Sequence, residues 1–358
     1  MKNKTASLLL GLSVLLCSVF SLSSCGNREN TADVHVFYYT YSDTYITGVR
    51  SALDKAFGEM NISFQDYDSN SNQTTQTEQI QTAITKGARV IVVNIVNTGS
   101  DDASNGIVTL AKNANIPVIF FNREVSDAVV NSYDKCVFIG TDAAEAGHLQ
   151  GEMIGEYLKD NYESVDRNGD GKISYILFKG EEGNNEAIYR TKYAVEDADK
   201  ILAENGHEPL AFYDSANANK YLVDQQGKWS AQAANEYMTT ALTAYNEANG
   251  NMIELVICNN DGMAEGAISA LNSSGYNTGS GKSIPVFGVD ATDSAKQLIA
   301  ENKMTGTIKQ DAEGMAKALA LVSSNGVHSK GIMDGCEDYH VDESVSKIRI
   351  SYSKYLGE

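Results

Sequence analysis

The sequence predicts an α/β protein made of two Rossmann-like lobes with parallel sheets. Three observations carry that prediction. Apolar runs of strand length alternate with segments of helical period from Val34 onward. The run RVIVVNIVN (Arg89–Asn97) is β-branched with no polar alternation, as in a strand covered on both faces. The strands are too many for one compact sheet, and 358 residues leave room for about two domains.

The elements follow in order. VHVFYY (Val34–Tyr39) is a strand, and Ile46, Val49, Leu53, Phe57 and Met60 then recur at helical spacing. Ile62–Tyr67 is a strand and Thr74–Lys86 a helix. Strand Arg89–Asn97, helix Ala103–Asn113, strand Ile116–Asn122, strand Cys136–Gly140 and helix Ala143–Asn161 complete a first set. The second set is strand Ile173–Lys179, helix Glu186–Glu204, strand Leu210–Asp214, helix Ala231–Tyr245 and strand Met252–Cys258. It continues with helix Met263–Leu271, strand Ile284–Asp290, helix Ser294–Glu301, strand Gly306–Lys309, helix Ala312–Val322 and strand Ser346–Ser351.

The two sets echo each other. IVVNIVN and LVICNND both end in amides. IPVIFFN and IPVFGVD both start with Ile-Pro and end in a polar group, Asn122 or Asp290. Ligands of open α/β sheets sit beyond the carboxyl ends of the strands. A strand-end Asn or Asp also caps the next helix, and any one taken alone reads that way. Four matched ends point to a polar cleft between the lobes.

Composition removes several function classes. Hydrophobic residues are 42% and charged residues 21%, an ordinary globular mix. Lys and Arg number 28 against 47 Asp and Glu, a formal charge of −19, and no basic patch interrupts it. Such a surface repels phosphate backbones, so no nucleic-acid partner is expected.

The first 24 residues read as an address. Lys2 and Lys4 precede an apolar stretch, Leu8–Leu22, that is shorter than the roughly 20 residues of a membrane span. The junction Leu22-Ser23-Ser24-Cys25-Gly26 resembles the lipobox of bacterial lipoproteins, whose Cys is acylated and becomes the new N-terminus. An ordinary cleaved signal with an incidental Cys is the plainer alternative. Residues 25–33 read as a polar tether. Cys136, Cys258 and Cys336 form no CxxC pair, and Cys136 and Cys258 sit in apolar runs, so they read as small buried side chains rather than zinc ligands.

One loop reads as a calcium site. Asp166-Arg167-Asn168-Gly169-Asp170-Gly171-Lys172-Ile173-Ser174 sets oxygen side chains at its first, third, fifth and ninth positions. Gly171 permits the sharp turn, and Lys172 would offer its carbonyl. The twelfth position is Leu177 where an EF-hand has a bidentate Glu, so a remote carboxylate must complete the set.

These features together resemble the bacterial galactose/glucose-binding proteins of sugar ABC transporters. The resemblance runs through YSDTY (Tyr41–Tyr45), FFNREVSDAVVNSYDK (Phe120–Lys135), IGTD (Ile139–Asp142), the DRNGDGKIS loop and FKGEEG…YRT (Phe178–Thr191). It continues through IELVICNNDGMAEGA (Ile253–Ala267), IPVFGVDAT (Ile284–Thr292) and TGTIKQDA (Thr305–Ala312). It implies a periplasmic binding protein-like I fold with a three-segment hinge near Gly140–Asp142, Lys309–Asp311 and Asp342–Ser346. The lobes would be 34–141 with 311–344, and 142–310 with 345–358, the second holding the calcium loop. It implies that Glu254 closes that loop.

The resemblance also implies a sugar site. Asp43, Asn122, Arg190, Asn260 and Asp290 match the family's polar contacts, and Trp229, the single Trp of the chain, matches one stacking aromatic. Tyr45 stands where the family usually has Phe. Asn184, Glu186 and Gln310 depart from the family's His, Asp and Asn. Such a set suits a neutral polyol: aromatics cover the C–H faces of the ring, and amides and carboxylates pair with the equatorial hydroxyls. One Arg against three carboxylates disfavours a sugar phosphate.

The implied function is an extracytoplasmic lipoprotein, monomeric and non-enzymatic. It would close on a glucose- or galactose-like hexose, deliver it to an ABC permease, and stay on the membrane by its lipid. Presentation of sugar to a chemoreceptor or sensor kinase is the alternative. A glycoside hydrolase would need an acid/nucleophile pair that no motif supplies. A sugar-responsive repressor would need a DNA-binding headpiece where the lipoprotein signal stands.

Overall fold

The fold is seen in a computed structural model that describes residues 31–357. The leader, Cys25 and the tether up to residue 30 lie outside the described residues. No described helix is long and apolar enough to cross a membrane.

The first lobe begins with β1 (Val34–Tyr38), α1 (Thr44–Glu59), β2 (Phe64–Asp68) and α2 (Gln73–Lys86). It continues with β3 (Val90–Val93), α3 (Asp102–Ala114), β4 (Val118–Phe121), α4 (Asp127–Asn131) and β5 (Cys136–Gly140). The chain then enters the second lobe: α5 (Ala143–Val165), β6 (Ser174–Lys179), α6 (Asn185–Glu204), β7 (Ala211–Phe212), β8 (Leu222–Val223) and α7 (Ala231–Ala244). There follow β9 (Leu255–Cys258), α8 (Asp261–Ser273), β10 (Val286–Asp290), α9 (Asp293–Ala300) and β11 (Gly306–Gln310). Next, α10 (Ala312–Val327), β12 (His340–Val341) and β13 (Lys347–Arg349) return to the first lobe, and β14 (Tyr352–Tyr355) ends in the second.

Each lobe holds one seven-stranded sheet, in the orders β12-β13-β5-β4-β3-β1-β2 and β14-β11-β10-β9-β6-β7, with β8 also on β6. The sheets are parallel except at one edge each, where β12 runs against β13 and β14 against β11. The central strands are buried throughout because helices cover both faces. Helix α1 turns Ile46, Val49, Leu53 and Phe57 inward at spacings of three and four, against Met315, Leu319 and Val322 of α10. The far end of the chain thus completes the first lobe's core.

Two expected crossings, after β5 and after β11, stand where the sequence put them. The third does not. β13 pairs in parallel with β5, Lys347 beside Phe138 and Arg349 beside Gly140, so residues 345–349 belong to the first lobe. The Ile350 N–H still donates to the Gly140 carbonyl at 2.7 Å. The crossing falls between Arg349 and Tyr352, and the expected strand Ser346–Ser351 is one strand plus a linker. An extended linker has the same two-residue alternation as a strand, so sequence pattern does not separate them. The short elements α4, β8 and β12 also carry too little periodicity to register. Cys136, Cys258 and Cys336 are buried and free.

Candidate functional site

The carboxyl ends of both sheets face each other across a cleft. Asp43 caps α1, Asn184 caps α6 and Asn260 caps α8, each side chain accepting a backbone N–H of the first turn. Each also lines a cavity between the lobes. One oxygen of each fixes its helix, and the other polar atom is held within the cavity wall: Asp43 Oδ2 accepts from Tyr39, Asn184 Nδ2 donates to Glu181 and Asn260 Nδ2 donates to the Trp229 carbonyl. Asn122 follows β4 and Asp290 is the last residue of β10, and neither caps a helix; their φ values are positive, at 59° and 125°.

All ten residues expected at a sugar site line this one cavity. Asp43, Tyr45 and Asn122 come from the first lobe. Asn184, Glu186, Arg190, Trp229, Asn260 and Asp290 come from the second, and Gln310 from the end of β11 at the hinge. The Tyr45 hydroxyl donates to the Met315 sulfur at 3.7 Å. Trp229 is also left-handed (φ 55°) and lies flat on Gly180, where a Cβ would sit 2.0 Å from the indole. No other residue at 180 leaves room for that ring.

Two lining residues were not anticipated. The Tyr39 hydroxyl donates to Asp43 Oδ2 at 2.6 Å, and the Arg123 guanidinium covers the Tyr39 ring at 4.4 Å. Arg123 also reaches Glu181 of the second lobe at 2.7 Å. The cavity therefore holds two guanidiniums, not the single one expected. Arg123 directly follows Asn122 within FFNRE, and that adjacency was the available signal. What hid it is that its partner is 58 residues away in the other lobe.

The electrostatics are those of a desolvated polar chamber. Burial pushes the Glu186 carboxyl up to about 7, with Arg190 pulling against it. Burial also holds Asp290 well above the usual carboxylate range, opposed by Arg190 and reinforced by Asp261 and Asp43. Arg190 is pinned through Nη1 to the Asn259 carbonyl at 2.8 Å and through Nη2 to the Tyr352 hydroxyl at 2.8 Å. Four buried polar atoms at the cavity have no partner within the protein: Arg123 Nε, Glu186 Oε1, Arg190 Nε and Gln310 Nε2. Buried groups of this kind cost free energy unless a guest pairs with them.

A domain model described as a periplasmic binding protein domain matches residues 34–325. The chain belongs to the periplasmic binding protein family. It is 32% identical to the D-galactose/methyl-galactoside binding periplasmic protein MglB of Haemophilus influenzae, over 93% of this chain and 92% of the relative. Its fold matches an ABC transporter solute-binding protein of Clostridium phytofermentans with bound β-D-glucose, at a TM-score of 0.70 and 20% identity, covering 90% and 94% of the two chains. It also matches one from Bacillus halodurans with bound myo-inositol, at 0.67 and 23% identity, covering 92% and 96%. Family members are extracytoplasmic sugar-transport binding proteins that capture a solute and are not enzymes.

A second cluster lies at the loop between α5 and β6. Gly169 and Gly171 take φ of 69° and 79°, and the Asp166 carboxylate accepts the N–H groups of Gly169, Asp170 and Gly171. Asn168 accepts the Asp170 N–H, and Asp170 that of Lys172. Glu254, just before β9, is fully buried and accepts the N–H groups of Arg167, Asn168 and Ser174. Burial and the nearby Asp166 charge raise its pKa, and none of the described ion pairs includes it. Asp166, Asn168, Asp170 and the buried Glu254 thus accept the backbone N–H groups of this turn, and among the described residues no group of three or more His, Cys, Asp or Glu side chains is arranged to hold a metal ion.

Proposed function

We propose that this protein captures one neutral hexose of the glucose or galactose type by closure of its lobes and hands it to an ABC permease. The observation that carries the reading is the cavity itself. Both lobes supply its walls, an indole and a phenol ring border it, and its unpartnered atoms are three N–H donors and one carboxyl oxygen. Hydroxyl groups serve both kinds, since each accepts and donates. Arg123 adds a second cation, yet its charge is matched by Glu181, so the balance still favours an uncharged guest.

Closure supplies the mechanism. With the lobes apart, Asp43 and Asn122 stand on one wall and Trp229, Asn260 and Asp290 on the other. A sugar that pairs with both walls stabilises only the closed form, and the permease reads that form. Calorimetric titration with glucose and galactose, beside xylose and myo-inositol, tests the reading. Tight binding of one hexose supports it, and silence toward all four sinks it.

Two further assignments belong to this reading. Calcium would be held by Asp166, Asn168, Asp170, Ser174, Glu254 and the Lys172 carbonyl, joining the start of β6 to β9 and steadying the second lobe. Acylation of Cys25 would tether the protein to the membrane. Mass spectrometry of the mature N-terminus checks the second: a Cys25 without lipid, or a cut elsewhere, removes it.

A further inference from the structure

We infer that Asp261 is a positioning residue that holds the left-handed Asp290–Ala291 turn and so aims the Asp290 carboxylate into the cavity. The inference rests on the proposed sugar-binding reading for its functional consequence, and on the geometry alone for its structural one.

The turn needs an external hold. Asp290 has φ 125° and Ala291 φ 56°, two consecutive non-glycine residues in territory that side chains rarely adopt. Such a conformation persists only when its surroundings over-determine it. Asp261 provides that surrounding. Its Oδ2 accepts the Thr292 N–H at 2.8 Å, immediately after the turn. Its Oδ1 accepts the Thr307 hydroxyl at 2.6 Å, and the Thr307 oxygen in turn accepts the Ala291 N–H at 3.4 Å. One carboxylate thus fixes both N–H groups that follow Asp290.

The position is also built to receive that carboxylate. Asp261 is fully buried. At Gly288, within β10, a Cβ would lie 2.4 Å from Asp261 Oδ1, so the strand gives up a side chain to admit the oxygen. Asp261 opens α8 directly after the cavity residue Asn260, and Thr307 lies in β11 three residues before the cavity residue Gln310. The side chain therefore ties together the three segments that deliver Asn260, Asp290 and Gln310. No cation pairs with it among the described residues; its partners are the Thr307 hydroxyl and a backbone N–H, aided by the N-terminus of α8. An asparagine keeps an acceptor for the Thr292 N–H but must donate its amide to Thr307, which reverses that hydrogen bond and leaves the hydroxyl proton without this acceptor.

The test has two arms. In a crystal structure of ligand-free Asp261→Asn, Asp290 is expected to leave the left-handed region and its carboxylate to turn from the cavity; an unchanged turn overturns the inference. In titrations with glucose and galactose, D261N is expected to weaken binding by about ten- to a hundred-fold, the scale of a lost charged hydrogen bond. In a D290N background the same change is expected to cost less than about two-fold, because Asp261 acts through Asp290. Equal losses in both backgrounds would make Asp261 a general structural residue and overturn the inference. If the wild type binds neither hexose, the proposed function fails while the crystal arm still decides the turn. If D261N does not fold, Thr307→Val takes its place in both arms with the same criteria, and Thr307→Ser is expected to restore the turn.

Discussion

Arg123 of the first lobe and Glu181 of the second meet across the cleft, Nη2 lying 2.7 Å from one carboxylate oxygen and 3.0 Å from the other. The pair is sheltered, with side-chain exposures of 5% and 21%. Behind Arg123 stands Tyr39, bonded to Asp43, and behind Glu181 stand the Asn184 amide at 3.4 Å and the Trp229 indole N–H at 3.5 Å. The join between the lobes is thus continuous with the ligand-facing groups on both sides.

Breaking that pair should loosen the closed state. Arg123→Ala or Glu181→Gln is expected to weaken hexose binding about ten-fold or more, mainly by faster release, since truncating one partner strands the other in a sheltered site. Stopped-flow dissociation read beside calorimetry checks this. An unchanged release rate in both variants would show that the pair forms without holding the lobes.

Trp229 is the single tryptophan, and it lies on the cavity wall. Its fluorescence is expected to shift on addition of the bound hexose, and Trp229→Phe to abolish the signal while keeping some affinity. Gly180→Ala should cost binding strongly, because its methyl would collide with the indole. The reading of a stacked sugar fails if G180A binds like the wild type while remaining folded.

The Glu254 carboxylate should make the protein responsive to calcium. Removal of metal by EDTA is expected to lower the melting temperature and calcium to restore it, with about 2.7 kcal/mol available at a hundred-fold excess over Kd. Glu254→Gln should remove the response. No difference between EDTA and calcium in the wild type would reduce the loop to an acidic turn.

A pH dependence follows from Asp54 of α1 and Asp66 of β2, two adjacent carboxyls. Burial raises both, and the Asp54 charge helps lift Asp66 to about 7, against the pull of Arg50. The folded state then holds a proton more tightly than the unfolded chain does. Its stabilising effect is present below the ordinary carboxylate range and is lost as pH rises through about 7. Asp66→Asn is expected to be more stable than wild type at pH ~8, by about 1–2 kcal/mol after solvent screening, and to lose that advantage near pH ~4. Denaturant unfolding at both pH values decides it: parallel pH profiles for the two proteins would mean the carboxyls do not share a proton.

The sequence alone determined the alternation of strands and helices, the division into two lobes, and the matched polar residues at strand ends. All of these are written in short-range periodicity and in residue type. Asn122, Asn260 and Asp290 were legible as polar groups at strand ends, whereas Asp43 and Asn184 came only from the family resemblance. The tertiary structure decided the rest. Arg123 meets Glu181, and Asp261 meets Thr292 and Thr307, only because separate segments converge, and no local pattern encodes a partner tens of residues away. The place of β13 in the first sheet was decided there too, because pairing with β5 depends on which strand edge lies open and not on the alternation that β13 shares with the linker beside it.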